Sequence, residues 1–245
     1  MENALLIGLS RQTALRNQLD VIANNLANLN TTGFKSQDLA FEEYLMPVAS
    51  ADSFEANDQN LSYVHDYIST YNHSAGSMVQ TGNPFDVAIA GKGWLVVQTP
   101  DGERYTRDGS LSLNSEGQLV TKSGYPVLAT SGPMTFSPNE ADITIAKDGT
   151  VSTTQGQRDR IRIVEFADES KLLNAGENLF SGDNPKDAVR AQLVQGMIER
   201  SNVKPLLEVT RMVEVTRAYQ LVSAMLKEQG ELKETAINQL GQADA

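Results

Sequence analysis

The chain has 245 residues, of which 40% are hydrophobic and 21% are charged, so it can bury a core and does not have the composition of a disordered protein. Its net charge of -11 disfavours nucleic acid and anionic membrane surfaces as partners, because both are bound through clusters of Lys and Arg. The chain contains no Cys, which excludes disulfides, thiol nucleophiles and thiolate metal sites.

The first stretch, MENALLIGLSRQ, does not have the features of a secretory signal peptide. It carries Glu2, and its apolar run extends only from Ala4 to Ile7. No segment of the sequence is long and apolar enough to span a bilayer. We therefore expect a protein that is not integral to a membrane and that has no cleavable signal.

Residues 1–32 are predicted to form an N-terminal helix. Apolar residues recur there at spacings of three and four, which is typical of a helix with one apolar face that needs a partner. That partner is either a second helix or the core of the helix's own domain. Gly33 is a typical C-terminal stop. The predicted seam consists of Leu15, Leu19, Ile22, Leu26 and Leu29.

Residues 33–79 lack a clear period and are predicted to form an irregular, partly extended connector. Residues 80–197 change to a period of two, with turn pairs such as Asp148-Gly149 at hairpin spacing. This pattern predicts a mainly antiparallel β domain. The expected strands are 85–90, 94–99, 103–107, 110–114, 118–122, 143–146, 150–153 and 160–166.

Residues 198–245 return to helical spacing and are predicted to form a C-terminal helix, with Pro205 in its first turn. Apolar seams at both termini suggest that the two ends meet. The predicted fold class is α+β, with N- and C-terminal helices that pair as a coiled-coil-like unit around the central β domain. The C-terminal seam consists of Met212, Val215, Tyr219, Val222 and Leu226.

The sequence offers only weak candidates for chemistry. His65 and His73 lie eight residues apart with Asp66 beside the first, but a zinc site needs three or four convergent ligands. Trp94 would suit a sugar-binding platform, although its alternating strand position is more typical of a core. We therefore predict no catalytic, cofactor or metal site.

Acidic residues are abundant, so a glycosidase-like carboxylate pair stays open at the level of sequence. Four of them precede turn glycines, however, and are expected to shape the turns instead: Asp101, Asp108, Glu116 and Asp148. A secreted carbohydrate-binding or hydrolytic β domain is kept as the alternative of a different class.

Three stretches of the sequence resemble the rod and hook proteins of the bacterial flagellum. VIANNLANLNTTGFK, at residues 21–35, is similar to the N-terminal signature of that family. SNVKPLLEVTRMVEVTRAYQ, at residues 201–220, is similar to its C-terminal signature. The stretch that begins GNPFDVAIAGKGWLVVQ, at residue 82, resembles the shared β segment. The resemblance covers both ends of the chain and much of the middle.

The resemblance implies a structural protein without enzyme activity or cofactor. Its terminal helices would pack into a tube, with the β domain outside. Its partners would be other rod subunits, copies of itself and the flagellar type III export apparatus. The resemblance places the protein in the basal-body rod that spans the periplasm, which accounts for export without a signal peptide. Within the family, a single β domain points to the proximal or the distal rod protein, and Trp94 favours the proximal one.

Four asparagines near the end of the first helix, Asn24, Asn25, Asn28 and Asn30, lie off its leucine seam. In a tube of helices an uncharged amide is buried between subunits without the desolvation cost of a charge. A simpler interpretation, that Asn is common where helices end, suffices for Asn30. The predicted assembly interface comprises Leu15, Leu19, Ile22, Asn24, Asn25, Leu26, Asn28, Leu29, Met212, Val215, Tyr219, Val222 and Leu226.

Overall fold

A computed structural model describes residues 2–46, 61–137, 140 and 142–243. The chain divides into two compact units. The helical unit takes its described residues from 1–27, 37–70 and 204–245, and the β unit takes them from 28–36 and 71–203. The fold class is α+β, as the sequence predicts.

Two long helices dominate the helical unit, α1 (Glu2–Ala27) and α2 (Pro205–Ala243). Pro205 begins α2, where its fixed φ suits a helix and its missing N–H leaves no bond unmade. α1 ends at Ala27, earlier than predicted, because the next residues form a turn. The Thr31 N–H donates to the carbonyl of Asn28 at 3.2 Å, and the Thr31 hydroxyl donates to Oδ1 of Asn28 at 3.0 Å. Local side-chain bonds of this kind compete with helix formation.

The strands of the described residues are short, apart from the first two. They are β1 (Gln37–Met46), β2 (Leu61–Tyr71), β3 (Met78–Gln80), β4 (Val87–Ala90), β5 (Trp94–Thr99), β6 (Gly102–Thr106), β7 (Leu111–Leu113), β8 (Leu119–Thr121), β9 (Leu128–Ala129), β10 (Gly132–Pro133), β11 (Thr144–Ile145), β12 (Thr150–Thr153), β13 (Gly156–Arg160), β14 (Ile163–Glu165), β15 (Leu173–Gly176), β16 (Leu179–Ser181), β17 (Lys186–Asp187), β18 (Gln192–Gln195) and β19 (Met197–Glu199). A 3-10 turn spans Glu169–Lys171.

The largest sheet has six strands in the order β15-β16-β6-β5-β14-β17, and its strand pairs are antiparallel. β18 pairs with β4, and β19 pairs with β3, also antiparallel. Hydrophobic side chains from these strands contribute to two core clusters, one containing Leu95, Val97 and Leu193 and the other containing Trp94 and Phe180. The sheet therefore buries alternate residues of β5 in different clusters.

Two sequence predictions are corrected by the described part of the fold. The connector at 33–79 is not irregular there, because β1 and β2 form a two-stranded sheet. The sequence of β2, LSYVHDYISTY, is rich in Tyr and β-branched residues, which fit a strand even without clean alternation of polar and apolar residues. Residues 198–204 do not belong to the C-terminal helix, since β19 extends to Glu199 and α2 begins at Pro205.

Candidate assembly site

The two helices of the helical unit pack against each other. Ile22 of α1 is buried, as are Val215 and Val222 of α2. Gly8 lies against Leu226, because a Cβ added to Gly8 would stand 2.6 Å from Cδ2 of that leucine. The other predicted seam residues of the two helices are half-buried: Leu15, Leu19, Leu26, Met212, Tyr219 and Leu226. Both predicted seams therefore contribute to a contact within one chain.

α2 also carries a second apolar face, which the sequence analysis missed. Val213 and Val222 are nine residues apart, or about 2.5 helical turns, so they lie on opposite sides of α2. Val222 is buried, whereas Val213 is exposed. The most exposed residues of this face are Leu206 at 80% and Leu221 at 72%. We call the set the outer face of α2, and it comprises Leu206, Val209, Val213, Leu221 and Leu232.

Asn25 is only 1% exposed, and the structure explains its place in α1. Its Nδ2 donates to the carbonyl of Gln37 at 2.8 Å, and its Oδ1 accepts the N–H of the same residue at 2.9 Å. The amide therefore fixes the first residue of β1 beside α1. This corrects the interpretation of Asn25 as a side chain that faces other subunits, because both of its polar atoms are used within the chain.

The other predicted interface residues near the end of α1 have different positions. Asn24 is exposed. Asn28 forms the turn that follows α1, and Leu29 lies half-buried in that turn rather than on the helix. Leu29 therefore does not continue the helical seam.

Three charged residues that the sequence analysis did not single out form a buried cluster in the β unit. Nζ of Lys35 lies 2.6 Å from Oε1 of Glu199, and Nη1 of Arg107 lies 3.4 Å from Oε2. The side chains of Lys35 and Glu199 are 0% and 1% exposed. We call these three residues the charged cluster. It joins the end of the N-terminal signature to the residues that precede the C-terminal signature.

Backbone groups complete the charged cluster. Gly76 N–H donates to Oε1 of Glu199 at 2.8 Å, and Lys35 donates to the carbonyl of Ser74 at 2.8 Å. Desolvation lowers the pKa of Lys35 and of Arg107, and attraction by Glu199 opposes that effect at both cations. Because Glu199 is the shared anion of the cluster, it holds two buried positive charges in place.

Asn202 of the C-terminal signature makes a second connection, to the residue that follows the N-terminal signature and to the segment after β2. Its Oδ1 accepts the N–H of Ser36 at 2.7 Å, and its Nδ2 donates to the carbonyl of Asn72 at 2.7 Å.

Gly33 has φ +67°, and an added Cβ would overlap the backbone of Arg107. Only glycine fits this position, since a side chain would be strained in conformation and would clash.

His73 lies among aromatic rings rather than in a polar connector. Its ring centroid is 5.4 Å from that of Trp94 and 5.7 Å from that of Phe180. Burial lowers the pKa of His73, which favours the neutral ring. Trp94 is fully buried, so it is a core residue and not a sugar-binding platform. The side chains of His65 and Asp66 lie outside the described residues.

The turn carboxylates act as the sequence predicts at two positions. Oδ1 of Asp108 accepts the N–H of Ser110 at 3.0 Å, and Oδ1 of Asp148 accepts the N–H of Thr150 at 3.1 Å.

Among the described residues, no group of three or more His, Asp or Glu side chains is placed to hold a metal ion. The helices that the structure describes include none long and apolar enough to cross a membrane.

Three family models match successive parts of the chain. Residues 5–35 match the flagella basal body rod protein family. Residues 88–153 match the D1 domain of the flagellar hook protein FlgE/F/G family, and residues 194–240 match the C-terminal region of the flagellar basal body rod FlgEFG proteins. The three matches fall on the three stretches that carry the resemblance in the sequence.

Curated relatives extend the match over nearly the whole chain. The flagellar basal-body rod protein FlgF of Caulobacter vibrioides is 42% identical over 98% of this chain and 99% of the relative. The FlgF protein of Mesorhizobium japonicum is 33% identical over the same shares. The FlgG protein of Buchnera aphidicola subsp. Schizaphis graminum is 37% identical, over 84% of this chain and 87% of the relative. The FlgF relatives match the chain more completely.

Proposed function

The chain belongs to the family of flagellar basal-body rod proteins, and we propose that it is a structural subunit of the proximal part of the rod, which assembles through its terminal helices. We infer the proximal position from the FlgF relatives, because they match nearly the full chain, whereas the FlgG relatives match less of it. The subunit has no catalytic role and no cofactor. It transmits torque as part of the axial shaft of a motile flagellum.

The outer face of α2 is the observation that carries this proposal. The inner face of the same helix already packs on α1, so the outer leucines and valines serve no contact between the two helices. Contiguous exposed apolar surface is typical of a protein interaction site. In a rod, helices of neighbouring subunits cover the outer face, and the apolar area removed from water stabilises the assembly.

The predicted domain organisation completes the proposal. The terminal helices, α1 and α2, pair in a coiled-coil-like manner at the axis of the rod. The connector at 33–79 links them to the β domain at 80–197. Partners are other rod subunits, copies of this chain and the type III export apparatus, which delivers the protein to the periplasm-spanning rod.

Replacement of Leu221 by Asp tests the proposal. Because Leu221 is exposed, Leu221→Asp should leave the fold of the isolated chain unchanged, whereas a charge covered by a neighbouring subunit costs several kcal/mol. In cells that lack the native gene, this variant should therefore be absent from purified basal bodies, and the cells should not swim.

Val189→Asp is the matched control, since Val189 is an apolar residue of the β unit that is 88% exposed. This control should enter the rod and support swimming. Normal rods built from Leu221→Asp protein would contradict the proposal.

A further inference from the structure

The helical unit contains a polar cavity of about 320 Å³ that the contact between the helices does not fill. Its wall includes Gln18 and Asn25 of α1, Asp38 of β1, and Glu208, Arg211 and Glu214 of α2. Both polar atoms of the Asn25 amide are taken by Gln37. Arg211 contacts Asp38 and Glu208 within the wall, so any ligand would compete with or add to these contacts.

Glu208 is the residue that points to a ligand. It is 5% exposed, and its Oε2 is buried without a hydrogen-bond partner. Its Oε1 lies 3.5 Å from Nη1 of Arg211, which is a long contact. A buried carboxylate oxygen without a donor is costly, so an N–H donor that entered the cavity would remove a penalty.

The charge of the cavity wall is negative. Asp38, Glu208 and Glu214 contribute three carboxylates, and Arg211 contributes one cation. Arg211 is shared, because Nη1 lies 3.2 Å from Oδ1 of Asp38 as well as near Glu208. One half-exposed guanidinium therefore serves two carboxylates, and the cavity favours a further positive charge.

The shape of the wall suits an organic cation better than a metal ion. The described His, Asp and Glu side chains form no group that converges as metal ligands do. An arginine side chain carries five N–H donors in a planar fork, and it reaches carboxylates that are spread around a cavity. Its guanidinium is also more weakly hydrated than an ammonium group, so it is easier to bury.

We propose that the cavity receives the guanidinium of Arg217 from a second copy of this chain, which deepens the proposed function and rests on it. Arg217 is exposed on α2 and lies nine residues after Glu208. Nine residues are about 2.5 turns and about 14 Å along a helix, so Arg217 lies on the side opposite Glu208. It lies between Val213 and Leu221 on the outer face that the neighbouring subunit covers.

This arrangement explains the kind of assembly that results. The donor and the acceptor lie on opposite sides of one helix, so the contact is heterologous rather than two-fold. A heterologous contact that does not close on itself propagates as an open helix, which is the symmetry of a rod. The outer apolar face supplies burial, and the Arg217–Glu208 contact fixes the register between copies.

Site-specific crosslinking tests which surfaces meet, and the absence of native Cys makes it unambiguous. The double variant Gln18→Cys/Gln220→Cys places one thiol in the cavity wall and one on the turn that follows Arg217. Basal bodies that contain it are treated with bismaleimidoethane, and crosslinked oligomers of this chain are expected. The control pair Gln18→Cys/Val189→Cys should give none.

Glu208→Gln provides a second measurement that separates the binding role from a structural one. The substitution removes a buried charge whose Oε2 has no hydrogen-bond partner and whose only ion-pair contact, with Arg211, is long, so the melting temperature of the isolated chain should stay equal or rise. The amount of this variant in basal bodies should nevertheless fall at least tenfold, as it should for Arg217→Ala. Lys227→Ala, on the same helix, should leave that amount unchanged.

The outcomes distinguish the inference from the function on which it rests. Crosslinked oligomers together with the loss of Glu208→Gln from rods support the inference. If the cysteine variants enter the rod but do not crosslink, or if Glu208→Gln assembles normally, the inference is wrong while the rod function stands. If the protein with its native sequence is absent from basal bodies, the proposed function itself is wrong.

Discussion

Glu199→Gln should destabilise the β unit strongly. The substitution keeps the size of the side chain and an oxygen that accepts the Gly76 N–H, but it removes the anion that faces Lys35 and Arg107. Loss of one partner from a buried ion pair costs about 3 to 5 kcal/mol, because the remaining charge is left uncompensated. For a unit of this size, that corresponds to a fall in melting temperature of about 6 to 20 °C.

The fluorescence of Trp94 provides the assay. Trp94 is the single tryptophan of the chain, it is fully buried, and the guanidinium of Arg107 lies 5.4 Å from the centre of its ring. Its emission therefore reports the unfolding of the β unit. The free energy of unfolding is obtained from urea titrations of the isolated full-length chain, for the native sequence and for Glu199→Gln.

Glu103→Gln is the matched control. Glu103 lies 2.8 Å from Arg162, close to the distance between Lys35 and Glu199, but both side chains are about one-third exposed. The control should cost less than about 1 kcal/mol. Equal losses from Glu199→Gln and Glu103→Gln would refute the reasoning, because distance alone rather than burial would then set the cost.

Burial raises the pKa of Asp108 from 3.8 to about 6, so the stability gained by its protonation is present below about pH 4 and lost as the pH rises through about 6. Asp108→Asn should therefore stabilise the β unit at pH 7 by up to about 3 kcal/mol and make its free energy of unfolding less dependent on pH, as measured by urea titrations at pH 4 and pH 7. An unchanged pH dependence would count against this role of Asp108. Val222→Asp places a charge between α1 and α2, so it should block incorporation of the protein into basal bodies. The unfolding transition reported by Trp94 fluorescence should stay unchanged. Normal rods built from this variant would contradict the prediction. Removal of residues 3–29 should leave the protein in the cytoplasm, as measured by cell fractionation, and efficient export of the truncated chain would argue against an N-terminal export signal.

Local patterns predict much of this fold. The strands at 94–99 and 150–153 match β5 and β12, because turn glycines mark their ends. β13 was missed, since GQRDR has the polar composition of a loop and becomes a strand only by pairing with β12. The two terminal helices were predicted from spacing alone, and their ends differ where Asn28 and Thr31 form a turn.

The site was less predictable than the fold, because its residues meet through long-range contacts. Lys35, Arg107 and Glu199 come from three distant parts of the sequence, and periodicity carries no information about such a meeting. Asn25 shows a related limit: its position off the leucine seam suggested an outward amide, whereas β1 returns to that side of α1 and buries it. The outer face of α2 was accessible in principle, since Leu206, Val209 and Val213 repeat at helical spacing.

The central claim, that this chain is a structural subunit of the flagellar rod, is tested most directly by electron microscopy of purified basal bodies from cells that lack its gene. The account predicts that these cells do not swim, that their rods are incomplete, and that the native gene restores both. Motile cells with intact rods would contradict it.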